Sequence, residues 1–349
     1  MRAAATSFVV VMPRTNTQVV LARRPNGNVT TDCFATQTVD IPALREGEAL
    51  LEVRYVGIDP TIRGWIKERG SYMAPVAIGE VVRASGVGVI VATTDQQKYP
   101  LGQAYTALTG WQQYRVFEPD ENPPVTPVAE GISLLDAMNW LGQIGMTAFL
   151  GVLDVAKPQP GETFVVSAAA SGVGCLAGQI AKLEGAKVIG IAGSDQKCAW
   201  VVDELGFDAC INYKTEDVSS QLKAHAPQGI DVYFDNVGGA LLDVVLRRIA
   251  NRGRVVLCGD LSTYDTDVPD VPLYNLKYLM GRRARMEGFN TLDHWGRLVE
   301  AHAMLIGWFQ AGLIKRRDDV VLGLDHAPDA LVRLFRGDHL GKLVVQVAP

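Results

Sequence analysis

Cysteine is scarce in this 349-residue sequence: five residues, at Cys33, Cys175, Cys198, Cys210 and Cys258, with no C-x-x-C pair. An odd, scattered set beside apolar neighbours fits reduced thiols rather than a disulfide framework, so a reducing, cytoplasmic setting is expected. Long apolar runs are also missing. None approaches the ~18 residues that a membrane span needs, and the run Phe8–Val11 is interrupted by Pro13 and Arg14, too soon for a secretory core. Nor does one sign of charge dominate, since 33 Lys and Arg stand against 38 Asp and Glu, for a net charge of −5. The short clusters Arg282, Arg283, Arg285 and Lys315, Arg316, Arg317 read as solvated helix ends and not as a phosphate-tracking stripe. Neither a nucleic-acid partner nor a membrane is expected. The five histidines, His225, His294, His302, His326 and His339, do not stand near a cysteine in ligand-like spacing, so no catalytic metal is expected.

What is present is apolar material for two cores, with 48% hydrophobic residues in a chain longer than one core usually spans. From about Leu135 to Asn290, short β-branched runs alternate with amphipathic ones. The strand candidates are Thr163–Ser167, Lys187–Ile191, Ala209–Asn212, Asp231–Asp235, Arg254–Cys258 and Arg285–Phe289, with helices such as Val173–Leu183 and Gln196–Leu205 between them. Strands that are apolar on both faces belong in a covered parallel sheet, so an α/β, doubly wound domain is expected. The first 130 residues read instead as a compact, mostly β unit with strands at Glu48–Tyr55, Val76–Val82 and Gly86–Val91. Leu292–Leu313 has helical periodicity, and Lys342–Val347 reads as a last strand that returns to the first unit.

The sharpest local signal is Ser167-Ala168-Ala169-Ala170-Ser171-Gly172-Val173-Gly174, between a strand and a helix. Small residues there let a backbone approach a pyrophosphate, and the helix start offers free N–H groups. Ala169, Ser171 and Gly174 occupy the three glycine places of the dinucleotide fingerprint, a degraded match that a tight turn without ligand would also satisfy. The second strand runs into Gly193 and Ser194, with Asp195 and Lys197 just beyond. A small residue, a hydroxyl and a lysine suit a 2′-phosphate, so NADPH is the expected cofactor. The alternative for Lys197 is the usual fate of a lysine, an exposed helix position.

At this point the sequence resembles the zinc-independent medium-chain reductases, in particular the curcumin, prostaglandin (leukotriene) and alkenal double-bond reductases. The likeness lies in Val20–Gly27, Ile58-Asp59-Pro60-Thr61-Ile62-Arg63-Gly64, Gly178–Leu183, Leu205–Asp208, Tyr233–Gly239, Cys258–Tyr264 and Gly337–Lys342. It implies a Rossmann-type sheet, residues 135–298, inserted into a mostly β, GroES-like catalytic domain formed by residues 1–134 and 299–349. It also implies NADPH-dependent reduction of a carbon–carbon double bond conjugated to a ketone or aldehyde. The implied cofactor contacts are Thr147, Ser171, Gly172, Val173, Gly174, Gly193, Ser194, Lys197, Tyr213, Asn236, Cys258, Gly259, Leu261, Ser262, Tyr264, Phe289, Asn290 and His339. The chain departs from the family at Thr61, where tyrosine is common, at His339, where asparagine is common, and at Leu141–Gly145, which replaces a methionine–proline pair. Gly79-Glu80 lacks the histidine that zinc-dependent relatives place between the two.

Without a Lewis acid, a phenol can hold the enolate oxygen that forms as hydride reaches the β-carbon, a donor worth roughly 3–4 kcal/mol. Tyr264 and Tyr72 match tyrosines that the family places at the substrate carbonyl; the alternative for each is a half-buried loop tyrosine with a backbone partner. A small hydrophobic enone or enal is the expected substrate, and a homodimer the expected assembly. A quinone reductase on the same scaffold, a methyltransferase and a non-catalytic NADPH-binding protein are the rival readings.

Overall fold

The computed structural model describes residues 14–68, 73–120, 125–265 and 272–347. The described residues open with an antiparallel pair, β1 (Thr15–Leu21) and β2 (Phe34–Asp40). There follow β3 (Ala49–Gly57), a five-residue helix α1 (Thr61–Trp65), β4 (Gly86–Thr93), β5 (Ala104–Ala107), β6 (Tyr114–Phe117) and β7 (Thr126–Pro127). Two helices, α2 (Leu134–Met138) and α3 (Gln143–Leu150), lead through a π-helical turn, Gly151–Ala156, into the parallel unit.

That unit alternates strand and helix: β8 (Thr163–Ser167), α4 (Gly172–Leu183), β9 (Lys187–Ala192), α5 (Asp195–Asp203), β10 (Ala209–Asn212) and α6 (Val218–His225). It continues with β11 (Ile230–Asp235), α7 (Gly239–Leu246), β12 (Ile249–Leu257), α8 (Leu261–Tyr264), α9 (Lys277–Arg282) and β13 (Arg285–Gly288). The chain then runs through α10 (Leu298–Gln310), β14 (Asp318–Leu322), α11 (Ala327–Arg336) and β15 (Lys342–Gln346).

Six strands form one all-parallel sheet in the order β10-β9-β8-β11-β12-β13, the doubly wound arrangement expected from the alternating pattern. Its two faces are sealed separately. Phe164, Val166, Val188 and Phe234 point to one core with Leu176, Ile180 and Leu305, while Val165, Ile189, Ile211 and Tyr233 point to the other with Leu222, Leu242 and Leu246. Odd and even positions alternate across the pleat, so central strands such as β8 and β9 are apolar over nearly their whole length. The second sheet has the path β14-β15-β3-β4-β5-β7, with β6 paired to β3. The last strand, β15, lies antiparallel to β3, so the chain's final segment completes a sheet begun in its first sixty residues.

Two expectations are corrected. Val76–Val82 is not a strand; it turns at Gly79 (φ +87°), and only Val81 bridges to Val20. The Glu80 side chain accepts the Ala77 N–H at 2.8 Å, and the Glu80 N–H donates back to the Ala77 carbonyl, closing a turn that an extended chain could not hold. Leu292–Leu313 is not one helix. A 3₁₀ segment, Thr291–Arg297, precedes α10 because His294 leaves helical geometry (φ −119°) two residues before Gly296.

Candidate active site

The carboxyl ends of β8, β9, β11 and β12 open onto a cavity of about 1860 Å³ that continues to the antiparallel sheet. In an open α/β sheet this is where ligands bind, outside the carboxyl ends at the point where strand order reverses, here between β8 and β11.

The turn after β8 is tightly built. Ala168 takes a positive φ of 49°. Ser171 caps α4, its hydroxyl accepting the Gly174 N–H at 3.3 Å. Gly174 is needed for packing, because a Cβ there would lie 2.2 Å from the Ala168 carbonyl oxygen. The far end of the chain braces the same turn: the Gly341 N–H donates to the Ala170 carbonyl at 2.9 Å, and Ser171 forms a parallel bridge with Gly341.

At the end of β9, Gly193 lies under the Tyr213 ring, 3.0 Å from where a Cβ would stand. Ser194 caps α5 by accepting the Lys197 N–H at 3.2 Å. Lys197 reaches across to donate to the Gly337 carbonyl at 2.7 Å, and burial together with the Lys214 charge pulls its pKa below the ordinary lysine value. Asp195, at the start of α5, already accepts the Asn212 amide at 2.6 Å, while Asp338 partly offsets the fall in the Lys197 pKa. His339 stands close by. Burial, then the charges of Lys197, Lys342 and Arg333, push its pKa down to about 3. Burial first of all keeps this imidazole neutral, and the lysines and arginine around it suit an anionic group such as a phosphate dianion. The residues therefore fit NADPH: Lys197 would face its 2′-phosphate, and the Ser171–Val173 turn would face its pyrophosphate.

Deeper along the sheet edge, the buried Asp235 carboxylate organises the end of β11. Its Oδ1 accepts from the Tyr233 hydroxyl at 2.9 Å, the Val237 N–H at 3.0 Å and the Gly238 N–H at 2.9 Å. Burial still raises its pKa above the ordinary value. Asn236 is locked in turn, its amide donating to the Ser167 carbonyl at 2.8 Å. The Cys258 and Gly259 N–H groups hold the Asp235 carbonyl, which aims the Cys258–Tyr264 loop over the cavity. Burial pushes the Cys258 thiol up to about 12, so it stays protonated. The Cys198 and Cys210 sulfurs lie 2.8 Å apart as free thiols behind the adenosine corner. Tyr264 lines the cavity with a phenol that burial keeps neutral to still higher pH than usual. The rest of the lining mixes apolar side chains, among them Trp65, Met73, Met138, Leu141, Ile144 and Leu292, with polar ones such as Asp59, Thr106 and Gln143.

Of the residues expected from sequence, Thr147, Ser171, Gly172, Val173, Gly193, Lys197, Tyr213, Asn236, Cys258, Gly259, Leu261, Ser262, Tyr264, Phe289, Asn290 and His339 all line this one cavity. Gly174 and Ser194 do not; each sits one step behind it, in a helix cap. Thr147 turns its hydroxyl back to the Gln143 carbonyl at 2.7 Å. Tyr72 lies outside the described residues. Sequence reasoning missed Arg63, Lys214, Asp265, Arg333 and Lys342. Arg63 and Lys342 stand inside the segments that carry the family likeness, but charged residues in a motif do not reveal partners far away in the chain. Among the described residues, no group of three or more His, Cys, Asp or Glu side chains could hold a metal ion.

A nucleotide-binding parallel sheet facing a second, antiparallel sheet across one large cleft is the architecture of the medium-chain dehydrogenases and reductases. Residues 17–125 match the family described as N-terminal domain of oxidoreductase, and residues 172–305 match that described as zinc-binding dehydrogenase. The NADPH-dependent curcumin reductase of Escherichia coli is 34% identical, over 95% of this chain and 97% of its own length. The NADP-dependent 2-alkenal reductase of Nicotiana tabacum is 38% identical, over 84% of this chain and 85% of its own. The crystal structure of Vibrio vulnificus CurA in complex with NADPH superposes with a TM-score of 0.90 and 38% identity, covering 95% of this chain and 99% of that one. The chain belongs to the zinc-independent medium-chain reductases, in the branch that holds the curcumin, prostaglandin and alkenal reductases.

Proposed function

We infer that the protein is an NADPH-dependent reductase of the carbon–carbon double bond in α,β-unsaturated ketones or aldehydes. The observation that carries this reading is that one cavity is lined by Lys197 and His339, by apolar side chains such as Trp65, Met73 and Ile144, and by the Tyr264 phenol. When bound, the reduced cofactor supplies a hydride to the β-carbon of the conjugated bond. Lys197, with Lys214 and Arg333 nearby, takes the 2′-phosphate, and the Ser171–Val173 turn takes the pyrophosphate. The apolar side chains exclude water and seat the hydrocarbon of a hydrophobic enone or enal. Tyr264 donates its hydrogen bond to the carbonyl oxygen and holds that oxygen as it gains charge. Tyr72 is proposed as the second donor, and water or a tyrosine returns the proton to the α-carbon.

The catalytic unit is proposed to comprise residues 1–134 and 299–349, around a nucleotide-binding unit at 135–298. We further propose a cytoplasmic homodimer. β13 ends the parallel sheet among the described residues, and the exposed Tyr274, Leu276 and Met280 flank that edge, which supports pairing with a second copy.

The test is NADPH consumption, followed by loss of nicotinamide absorbance, across enals, enones, quinones and simple ketones, with product analysis. Saturated ketones or aldehydes from enones or enals are expected; turnover of quinones alone, or reduction of C=O with C=C intact, would overturn the assignment. Tyr264→Phe is expected to lower kcat by tenfold or more, on the scale of one lost oxyanion donor, while NADPH affinity measured by fluorescence stays within about twofold.

A further inference from the structure

Tyr264 ends α8, a four-residue helix anchored on opposite sides of the cleft. On the parallel-sheet side, the Leu261 N–H donates to the Asn236 carbonyl at 3.2 Å and the Ser262 N–H to the Val237 carbonyl at 2.9 Å. On the other side the anchor is the next residue, Asp265. Its Oδ1 accepts the Val29 N–H at 2.6 Å and Arg63 Nε at 3.0 Å. Arg63 also donates from Nη2 to the Gly27 carbonyl at 2.7 Å. Both side chains are withdrawn from water, Arg63 at 2% and Asp265 at 10% exposure, and they join positions 202 residues apart.

A phenol on so short a helix, tied at its start alone, could swing across the cleft. The buried ion pair removes that freedom, because α1 and the Gly27–Val29 loop both belong to the antiparallel-sheet side. We propose that Arg63 and Asp265 are positioning residues, a clamp that sets the Tyr264 hydroxyl at the height of the substrate carbonyl. Neither touches the reacting atoms. The proposal rests on the reading that Tyr264 donates to that oxygen, and it extends that reading from the donor to what aims it. Misplacement of a reacting group by about 1 Å can cost on the order of a hundredfold in rate, so the clamp has catalytic reach without contact.

Asp265→Asn keeps an oxygen for the Val29 N–H and removes the charge that faces Arg63. In the native background it is expected to lower kcat for an enone by roughly tenfold and to leave KM for NADPH unchanged. It is also expected to weaken binding of the saturated ketone product, measured by calorimetry with oxidised cofactor, by a similar factor. In a Tyr264→Phe background the same substitution is expected to change kcat and ketone affinity less than about twofold, since coupled residues are not additive. Equal losses in both backgrounds, or no loss in the native one, would overturn the clamp while leaving the Tyr264 reading intact. Full activity of Tyr264→Phe alone would remove the donor and the clamp with it. Should Asp265→Asn melt or lose its circular dichroism, Arg63→Lys, which keeps the charge and loses the second donor, is read against the same outcomes.

Discussion

Lys197 shows how one side chain can decide between two cofactors. Its ammonium is half-sequestered, bonded to a backbone carbonyl and depressed by burial and by Lys214. A phosphate dianion would replace that carbonyl with a charged partner, whereas a ribose hydroxyl would not. Lys197→Ala is therefore expected to raise KM for NADPH by about tenfold or more, the equivalent of one charge-assisted hydrogen bond, with little change for NADH; parallel effects on both would refute the role. His339 offers a pH test on the protein without cofactor. Its folded pKa is lowered from 6.5 to about 3, so the unfolded chain takes up this proton first as the solution is acidified. Stability from this residue is thus full above its ordinary value and lost between about 6.5 and about 3. The slope is at most about 1.4 kcal/mol per pH unit. Urea unfolding of His339→Asn across that window should give a shallower decline than the native chain; identical declines would show that His339 is not the group. Lys197 was legible from its spacing after a strand and a hydroxyl. The field on His339 was not, because its shift comes first from burial and then from Lys197, which reaches it across the fold, and neither leaves a local signature.

The elements that could be read were those whose burial leaves one choice of residue. The central parallel strands β8, β9 and β11 were legible because both faces are covered, whereas the edge strand β13 is largely exposed, β2 exposes most of its side chains and β7 has only two residues. Val76–Val82 misled because β-branched residues at its ends frame a glycine turn closed by Glu80. The best-defined single element is the turn into α4, and it supports two separable measurements. Ser171→Ala removes a helix cap and is expected to cost about 1 kcal/mol in denaturant unfolding. Gly174→Ala forces a Cβ to within 2.2 Å of the Ala168 oxygen, which must move the turn itself. NADPH affinity in that variant is expected to fall by at least tenfold, a threshold of about 1.4 kcal/mol, and unchanged affinity would mean that the turn does not carry the pyrophosphate.

Across the whole molecule, polar contacts that sequence patterning does not disclose tie together segments far apart in the chain, here the ends of β3 and β15 in the antiparallel sheet. Lys342, 7% exposed, donates to the Ile58 carbonyl at 2.7 Å and pairs with Asp59. Removing one partner of a buried ion pair leaves the other uncompensated. Lys342→Met is expected to destabilise by about 3–5 kcal/mol, and addition of Asp59→Asn is expected to restore part of that loss. Additive destabilisation in the double variant would show that the pair is not the source.

The brace of Gly341 on Ala170 also imposes an order in time. Ribosomes deliver residue 171 long before residue 341, so the parallel sheet can gather while its phosphate turn still lacks a neighbour. Cofactor capture then becomes a late event in the birth of each molecule. A nascent chain stalled before β15 would hold the parallel sheet and most of the cleft but lack this brace, and is expected to bind NADPH weakly until β15 emerges.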